Sequence, residues 1–293
     1  MGLPTYVFYS LSIILVYVSL ATLLQMQFGQ LGIVNFGIVG FWGLGLYGFG
    51  VLLLQYGVPY LPSLILATAL ATLAAFVLGW IILDLDSQSV LVATLAFATV
   101  VADLATTEKW LTEGIRGLGS IPYPLDLGGD SELGLFLIIL VATCGVLFYA
   151  VRLRRAPYGR LLAGIRDNEV LARGIGKPTL RHKLIFFTVT SGAMGFFGAL
   201  SASIQHFLVP TLVAPTVTFS VWIALIVGGR QSPLGGLIGV LATIAVFDFL
   251  IELFVPIPAG YAQYLPIVKL MLYGLTLMIV LLYRPLGILG ARK

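Results

Sequence analysis

The sequence predicts an all-α membrane protein with about ten transmembrane segments, two of them short or interrupted. Three observations carry this. Of 293 residues, 59% are hydrophobic and only 10% charged, whereas soluble domains carry roughly a quarter charged residues. Mean hydropathy is +1.06. Apolar runs of about 20 residues, enough to cross a hydrocarbon core of about 30 Å, recur along the chain. We read residues 1–293 as one transmembrane domain, interrupted by a charged loop at 152–183. A single cysteine, Cys144, excludes a disulfide within the chain.

The first span covers 6–25. Residues 29–38 are too polar and glycine-rich for an ordinary span yet carry no charge. Irregular backbone at membrane depth survives only when buried in protein or lining a wet cavity. We expect 29–38 to be a short, interrupted helix inside the bundle; the alternative is an interfacial loop, which would give nine spans and put the N-terminus on the other side. Spans follow at 39–56, 62–83, 88–107 and 133–151, with Pro59, Pro62, Asp84 and Asp86 marking turns. The segment 108–132 is the longest without a span, and its acidic excess suits the outer side. Beyond the charged loop, 184–207 carries Ser191, Gly195, Ala199 and Ser203 at i, i+4 spacing, a stripe that admits close helix approach. A short span at 216–229 and two more at 233–254 and 264–283 complete the series.

The charged loop sets orientation. It holds nine of sixteen Lys and Arg residues, and short basic loops mark the cytoplasmic side. Thirteen of the sixteen then fall inside, counting Arg230, Arg284, Arg292 and Lys293. An even number of spans also puts the N-terminus inside. Within the loop, residues 158–174 read as a short polar helix ended by Gly174 and Gly176. Such a helix needs a partner surface to hold it.

No nucleophile–base pair, metal cluster or Gly-x-x-x-x-Gly-Lys-Ser/Thr phosphate loop stands out, so any ATP-driven work must come from another subunit. The basic charge reflects sidedness; no aromatic–basic module suggests nucleic acid. Polar groups at membrane depth are the functional suspects. Gln30 and Asn35 on the interrupted segment, Thr94 and Thr99 near the middle of their span, and Asp103 near its outer end are candidates for a translocation path. Asp248 or Glu252 is placed to pair with Lys269 on the following antiparallel span as a structural ion pair.

The order Gly159-Arg160, four residues, Ile165-Arg166-Asp167-Asn168-Glu169 and a closing Gly176 resembles the cytoplasmic coupling loop of permease subunits in branched-chain amino-acid ABC importers. Asp167 replaces the family's usual Glu. Arg173, Gly174 and Lys177 stand where acidic, small or apolar residues are favoured. Gly29-Gln30 and Asn35-Phe36-Gly37 are a second, weaker match. The resemblance implies a type II importer permease fold in the bacterial inner membrane, surrounded by lipid, with both termini cytoplasmic. It implies a heterodimer with a second homologous permease and a periplasmic substrate-binding protein on the outer loops. Two ATPase subunits, carrying the ATP and magnesium, would dock on 158–177. Branched-chain or other neutral amino acids are the implied cargo, with an amide or urea permease of the same family as the alternative. An ion-coupled secondary transporter, using Asp103 or Asp248, is the rival of a different class.

Overall fold

The computed structural model describes residues 3–124, 131–250, 265–284 and 286–290. In hydrocarbon every backbone polar group must be satisfied internally, so the apolar runs become helices. Among the described residues five are long enough to span: α1 (Leu3–Gln25, continued by a π-helical turn Met26–Gln30), α3 (Tyr60–Ile82), α4 (Ser87–Thr107), α6 (Ser131–Arg155) and α9 (Thr179–Gln205). Shorter apolar helices are α2 (Ile38–Leu54), α10 (Pro215–Gly228), α11 (Gly235–Val240, continued as π-helix over Leu241–Leu250) and α12 (Leu265–Tyr283). The basic loop forms α7 (Pro157–Asp167) and α8 (Glu169–Gly174). At the opposite end lie the short α5 (Lys109–Thr112) and a two-stranded antiparallel pair, β1 (Leu118–Gly119) with β2 (Phe207–Leu208).

Residues 29–38 are not a helix of their own. Residues 26–30 prolong α1, and 32–37 are non-helical. The expected burial holds, since Gln27, Gln30 and Asn35 are all inside the bundle. α2 begins beside Thr94, about 10 Å up α4 from Ser87 at 1.5 Å per residue. The chain thus enters the bundle in non-helical form and becomes helical only part-way across.

This changes the side on which the chain starts. Phe8 packs against Phe136 with ring centroids 5.7 Å apart, and Ser19 bonds Thr143 at 2.9 Å, so α1 runs parallel to α6. Tyr9 bonds Gln205 at 3.4 Å while Gln27 bonds Thr190 at 2.7 Å, so α1 runs antiparallel to α9. The start of α1 therefore lies at the far end from the basic loop. The last described residues lie at the basic end, where Ile288 N–H bonds Val227 at 2.8 Å and Leu289 N–H bonds Gly228 at 3.0 Å. The start of α1 and residues 286–290 thus lie at opposite ends, against the expectation of a shared side, because 26–37 returns the chain without a second crossing.

The two halves repeat one plan in opposite directions. α1, an irregular stretch, α2, α3 and α4 correspond to α9, an irregular stretch, α10, α11 and α12. Each leading helix packs on the other half: α1 against α10 and α11, α9 against α2 and α3. The small-residue stripe makes this possible. A Cβ at Gly45 would strike the Gly195 carbonyl, and Ser191, Ala199 and Ser203 are buried on the same face.

The orientation is checked by labelling. With Cys144→Ser as background, Tyr6→Cys should react with a membrane-impermeant maleimide in intact spheroplasts, and Gly174→Cys only after permeabilisation. Reaction of both positions from one side would contradict this topology.

Candidate functional site: the basic loop and the buried amide cluster

α7 starts where Pro157 at its first turn pre-sets the backbone and Ala156 stays extended. Gly159, Leu162 and Ile165 bury one face against the bundle. Gly159 admits no larger residue, because a Cβ there would meet the Leu153 carbonyl at the end of α6. The loop is thus not the single polar helix expected. It is an amphipathic helix followed by a second one, broken at Asn168, whose backbone is extended and whose carboxamide caps α8 by accepting from Leu171 N–H at 2.9 Å. Glycine closes α8 as expected. Gly176 has φ +79°, with Gly176 N–H to Arg173 O at 2.9 Å and Lys177 N–H to Ala172 O at 3.1 Å.

The break at Asn168 sends Arg166 and Glu169 in different directions, so they do not present one charged face outward. Arg166 reaches back into the bundle. Its guanidinium donates to the Gly29 carbonyl in the π-helical turn and to Asp167 at 2.8 and 2.9 Å. Its stem lies over Gly32, where a Cβ would come within 2.9 Å of Arg166 Cγ. Glu169 turns to α9, pairing with Lys183 and accepting from Arg173 at 2.9 Å and Thr179 at 3.0 Å. Arg173 also reaches Asp84 at 3.1 Å, tying the loop to the α3–α4 connection. Burial pushes the Glu169 carboxyl up, but the bonds and charges of Lys183, Thr179 and Arg173 outweigh it and hold the group below its ordinary value. Glu169 and Asp84 hold Arg173 above its own.

Amid its exposed charges, the loop offers an apolar triplet to the outside. Val170, Leu171 and Ile175 are 81%, 63% and 68% exposed, flanked by Arg160, Asp167, Asn168 and Arg173. Gly164, Gly174 and Gly176 leave open space around them. Our sequence reading missed this triplet. The signal was present as an isolated Val-Leu pair and an Ile inside an otherwise charged loop.

The π-helical turn is the meeting point of the inner end. Gly29 lies against the Arg230 carbonyl, which also accepts from Gln25 at 3.3 Å, and Arg230 stands over Phe28 at 5.6 Å. From the same turn Gln27, fully buried, donates to Thr190 at 2.7 Å and Ser191 at 3.0 Å and accepts from Asn35 at 2.8 Å. Asn35 in turn accepts from Gly37 N–H at 2.7 Å, and its carbonyl accepts from Trp222 of α10 at 3.0 Å. Thr94 accepts from Phe36 N–H at 3.0 Å. Val39 N–H, in the first turn of α2, donates to Thr218 of α10 at 3.2 Å.

Asn35 and Thr94 therefore come together as the frame of the unwound stretch, and Gln30 lies buried at the end of the adjoining turn. Gln27, which the sequence reading passed over, is the hub. Thr99 and Asp103 belong elsewhere, exposed on the outer surface of α4. The pairing expected of Asp248, Glu252 and Lys269 involves side chains outside the described residues. Lys269 itself lines a cavity of about 350 Å³ at the outer end with Tyr9, Gln205 and Thr211.

The family model for the branched-chain amino acid transport system / permease component matches residues 6–281. This chain belongs to that family. It is 26% identical over 259 residues to the high-affinity branched-chain amino acid transport system permease protein LivM of Escherichia coli (strain K12), covering 80% of this chain and 58% of that protein. It is 28% identical over 202 residues to the protein of the same name in Salmonella typhimurium, covering 60% and 48%. It is 24% identical over 241 residues to a probable branched-chain amino acid transport permease protein LivM of Methanocaldococcus jannaschii, covering 77% and 68%. The chain spans about half the length of the first two relatives.

The Glu169 network makes a pH prediction. A carboxyl whose folded pKa is depressed adds stability that is fully present above its unfolded value and lost as pH falls through the folded one. Limited proteolysis should therefore find α8 protected at neutral pH and cut readily only in acid, below the usual carboxylate range. Glu169→Gln should be cut at neutral pH. Equal protection of both proteins at pH 7 would show that the network does not hold α8.

Proposed function

We propose that this chain is the membrane-spanning permease subunit of an ATP-driven importer for branched-chain or other neutral amino acids. It forms half of a translocation path together with a second homologous permease. Two ATPase subunits bind the α7–α8 loop over 158–177, and a substrate-binding protein delivers cargo to the opposite end. The ATP and magnesium belong to the ATPases.

The observation that carries this reading is the seat of Arg166 on the Gly29 carbonyl. A loop that only anchored the protein would need no tie into the bundle. Here the outward tip offers Val170, Leu171 and Ile175 to a partner, as apolar anchors ringed by polar groups do at protein interfaces. The inward side grips the π-helical turn through Arg166. From that turn Gln27 and Asn35 lead to the N-terminal turn of α2 and to Trp222 on α10. Displacement of the tip by a closing ATPase would thus pull on one rigid body and reach the two half-crossing helices. The Glu169–Lys183–Arg173 cluster supplies the stiffness such a lever requires.

The two roles separate by mutation. Val170→Asp with Leu171→Asp should leave the permease inserted but abolish copurification of the ATPase. Arg166→Ala should keep the ATPase bound yet lower uptake roughly tenfold or more, since a hydrogen bond from a charged group is worth about 1.5–3 kcal/mol. ATP hydrolysis should continue without responding to loaded binding protein. Unimpaired uptake by a well-expressed Arg166→Ala protein would remove the coupling route, and retained ATPase binding by the double mutant would remove the docking tip.

A further inference from the structure

On the face formed by α2, α3 and α4 lies a cleft of about 380 Å³ unrelated to the elements above. Its walls are Gly43 and Gly48 of α2, Leu66 and Leu70 of α3, and Val101 and Ala105 of α4. Leu66 and Leu70 are about half exposed, so the cleft opens sideways, where a spanning bundle meets hydrocarbon. Gly48 helps to keep it open, since a Cβ there would come within 3.3 Å of Leu70 Cδ2. Of the two polar side chains in the lining, Thr112 already donates to the Ala105 and Glu108 carbonyls at 2.9 and 3.0 Å, which leaves Tyr47. Tyr47 is 6% exposed, lines the cleft, and its hydroxyl has no hydrogen-bond partner among the described residues.

A buried hydroxyl without a partner is uncommon and asks for an occupant. Water suits the site poorly, because a bound water needs two to four polar partners and apolar cavities stay dry. A free amino acid suits it less, since neither its carboxylate nor its ammonium would find a counter-charge in the lining. A long apolar chain bearing one acceptor fits both the walls and the hydroxyl. The cleft volume also falls within the range of about 300–1,000 Å³ common to small-ligand sites.

The roof adds the headgroup chemistry. Leu111 and Thr112 of α5 close the top of the cleft, and the segment around them is interfacial in character. Trp110 and Ile115 are 73% and 79% exposed, the placement of a membrane-interface belt. Exposed Lys109 and Arg116 alternate with Glu108 and exposed Glu113, so the segment beside the cleft displays both signs over nine residues. That pattern complements a headgroup carrying phosphate and ammonium together. Tyr47 sits seven residues below the end of α2, about 10 Å at 1.5 Å per residue, within reach of ester oxygens beneath such a headgroup.

We propose that this cleft binds one acyl chain of a zwitterionic phospholipid, in the leaflet away from the basic loop, with an ester oxygen accepting from Tyr47. The test uses the intact permease complex in nanodiscs containing phosphatidylethanolamine and phosphatidylglycerol. A trace of either lipid carries a diazirine on an acyl chain, and photo-crosslinked peptides are mapped by mass spectrometry. The phosphatidylethanolamine probe should label 43–52, 66–70 and 101–112 at least several-fold above the lipid-exposed face of α6 around Val141 and Phe148. Tyr47→Phe, which keeps the ring and the fold, should reduce that labelling several-fold. Leu66→Trp, at the half-exposed rim, should block it. Glu108→Lys with Glu113→Lys, which leaves the segment wholly basic, should shift the preference towards phosphatidylglycerol. Even labelling of all lipid-facing helices, labelling indifferent to Tyr47→Phe, or a wild-type preference for phosphatidylglycerol would each overturn the proposal. So would protein–protein crosslinks placing a helix of a second permease in the cleft.

Discussion

Everything in this bundle depends on keeping backbone polar groups paired where there is no water to pair them. Residues 32–37 run unwound through the interior, and each amide they expose would cost about 1–3 kcal/mol if left without a partner. Side chains supply the partners. Asn35 takes Gly37 N–H, Thr94 takes Phe36 N–H, Trp222 takes the Asn35 carbonyl, and Gln27 secures Asn35 itself. Remove Gln27 and the amide of Asn35, the hydroxyls of Thr190 and Ser191 and the unwound strand all lose a fixed reference. The start of α2 and its contact with α10 depend on this cluster.

The same constraint explains why the basic loop matters to the interior. A π-helical turn leaves a carbonyl displaced from the regular ladder, available to an outside donor. Gly29 presents such a carbonyl to Arg166 and, lacking a side chain, also admits the Arg230 backbone. Three stretches far apart in sequence are joined at one turn. A charge from the water-facing loop thus becomes part of the inner lattice of hydrogen bonds, and a force on the loop has a material path inward.

Much of this was legible from residue order. Hydropathy found the long helices, the basic residues marked one end, and the Ser191-Gly195-Ala199-Ser203 spacing announced a close contact that the structure places against α2 and α3. The glycine stop at Gly176 was read correctly, as was the burial of 29–38. What escaped has a common cause. Periodicity describes a segment alone, whereas the π-helical turn exists because Arg166, Arg230, Thr190 and Ser191 arrive from elsewhere to satisfy it. For that reason a separate crossing was expected at 29–38, and the start of the chain was assigned to the wrong end. The loop misled for a local reason. Arg166 and Glu169 share a face only if one helix contains both, and Asn168, a good cap and a poor helix residue, divides it.

The exchange of leading helices between the two halves has a consequence for how such a chain is made. α6, which α1 packs against most, follows midway along the chain, but α10 and α11 are synthesised some 190 residues after α1. Until then Gln25 lacks the Arg230 carbonyl it donates to, whereas Ser19 has already met Thr143 of α6. α9 by contrast meets α2 and α3 already in place. Assembly must therefore be completed by the last third of the chain closing around the first helix. Neither half, expressed alone, contains the partners its own leading helix was built to meet.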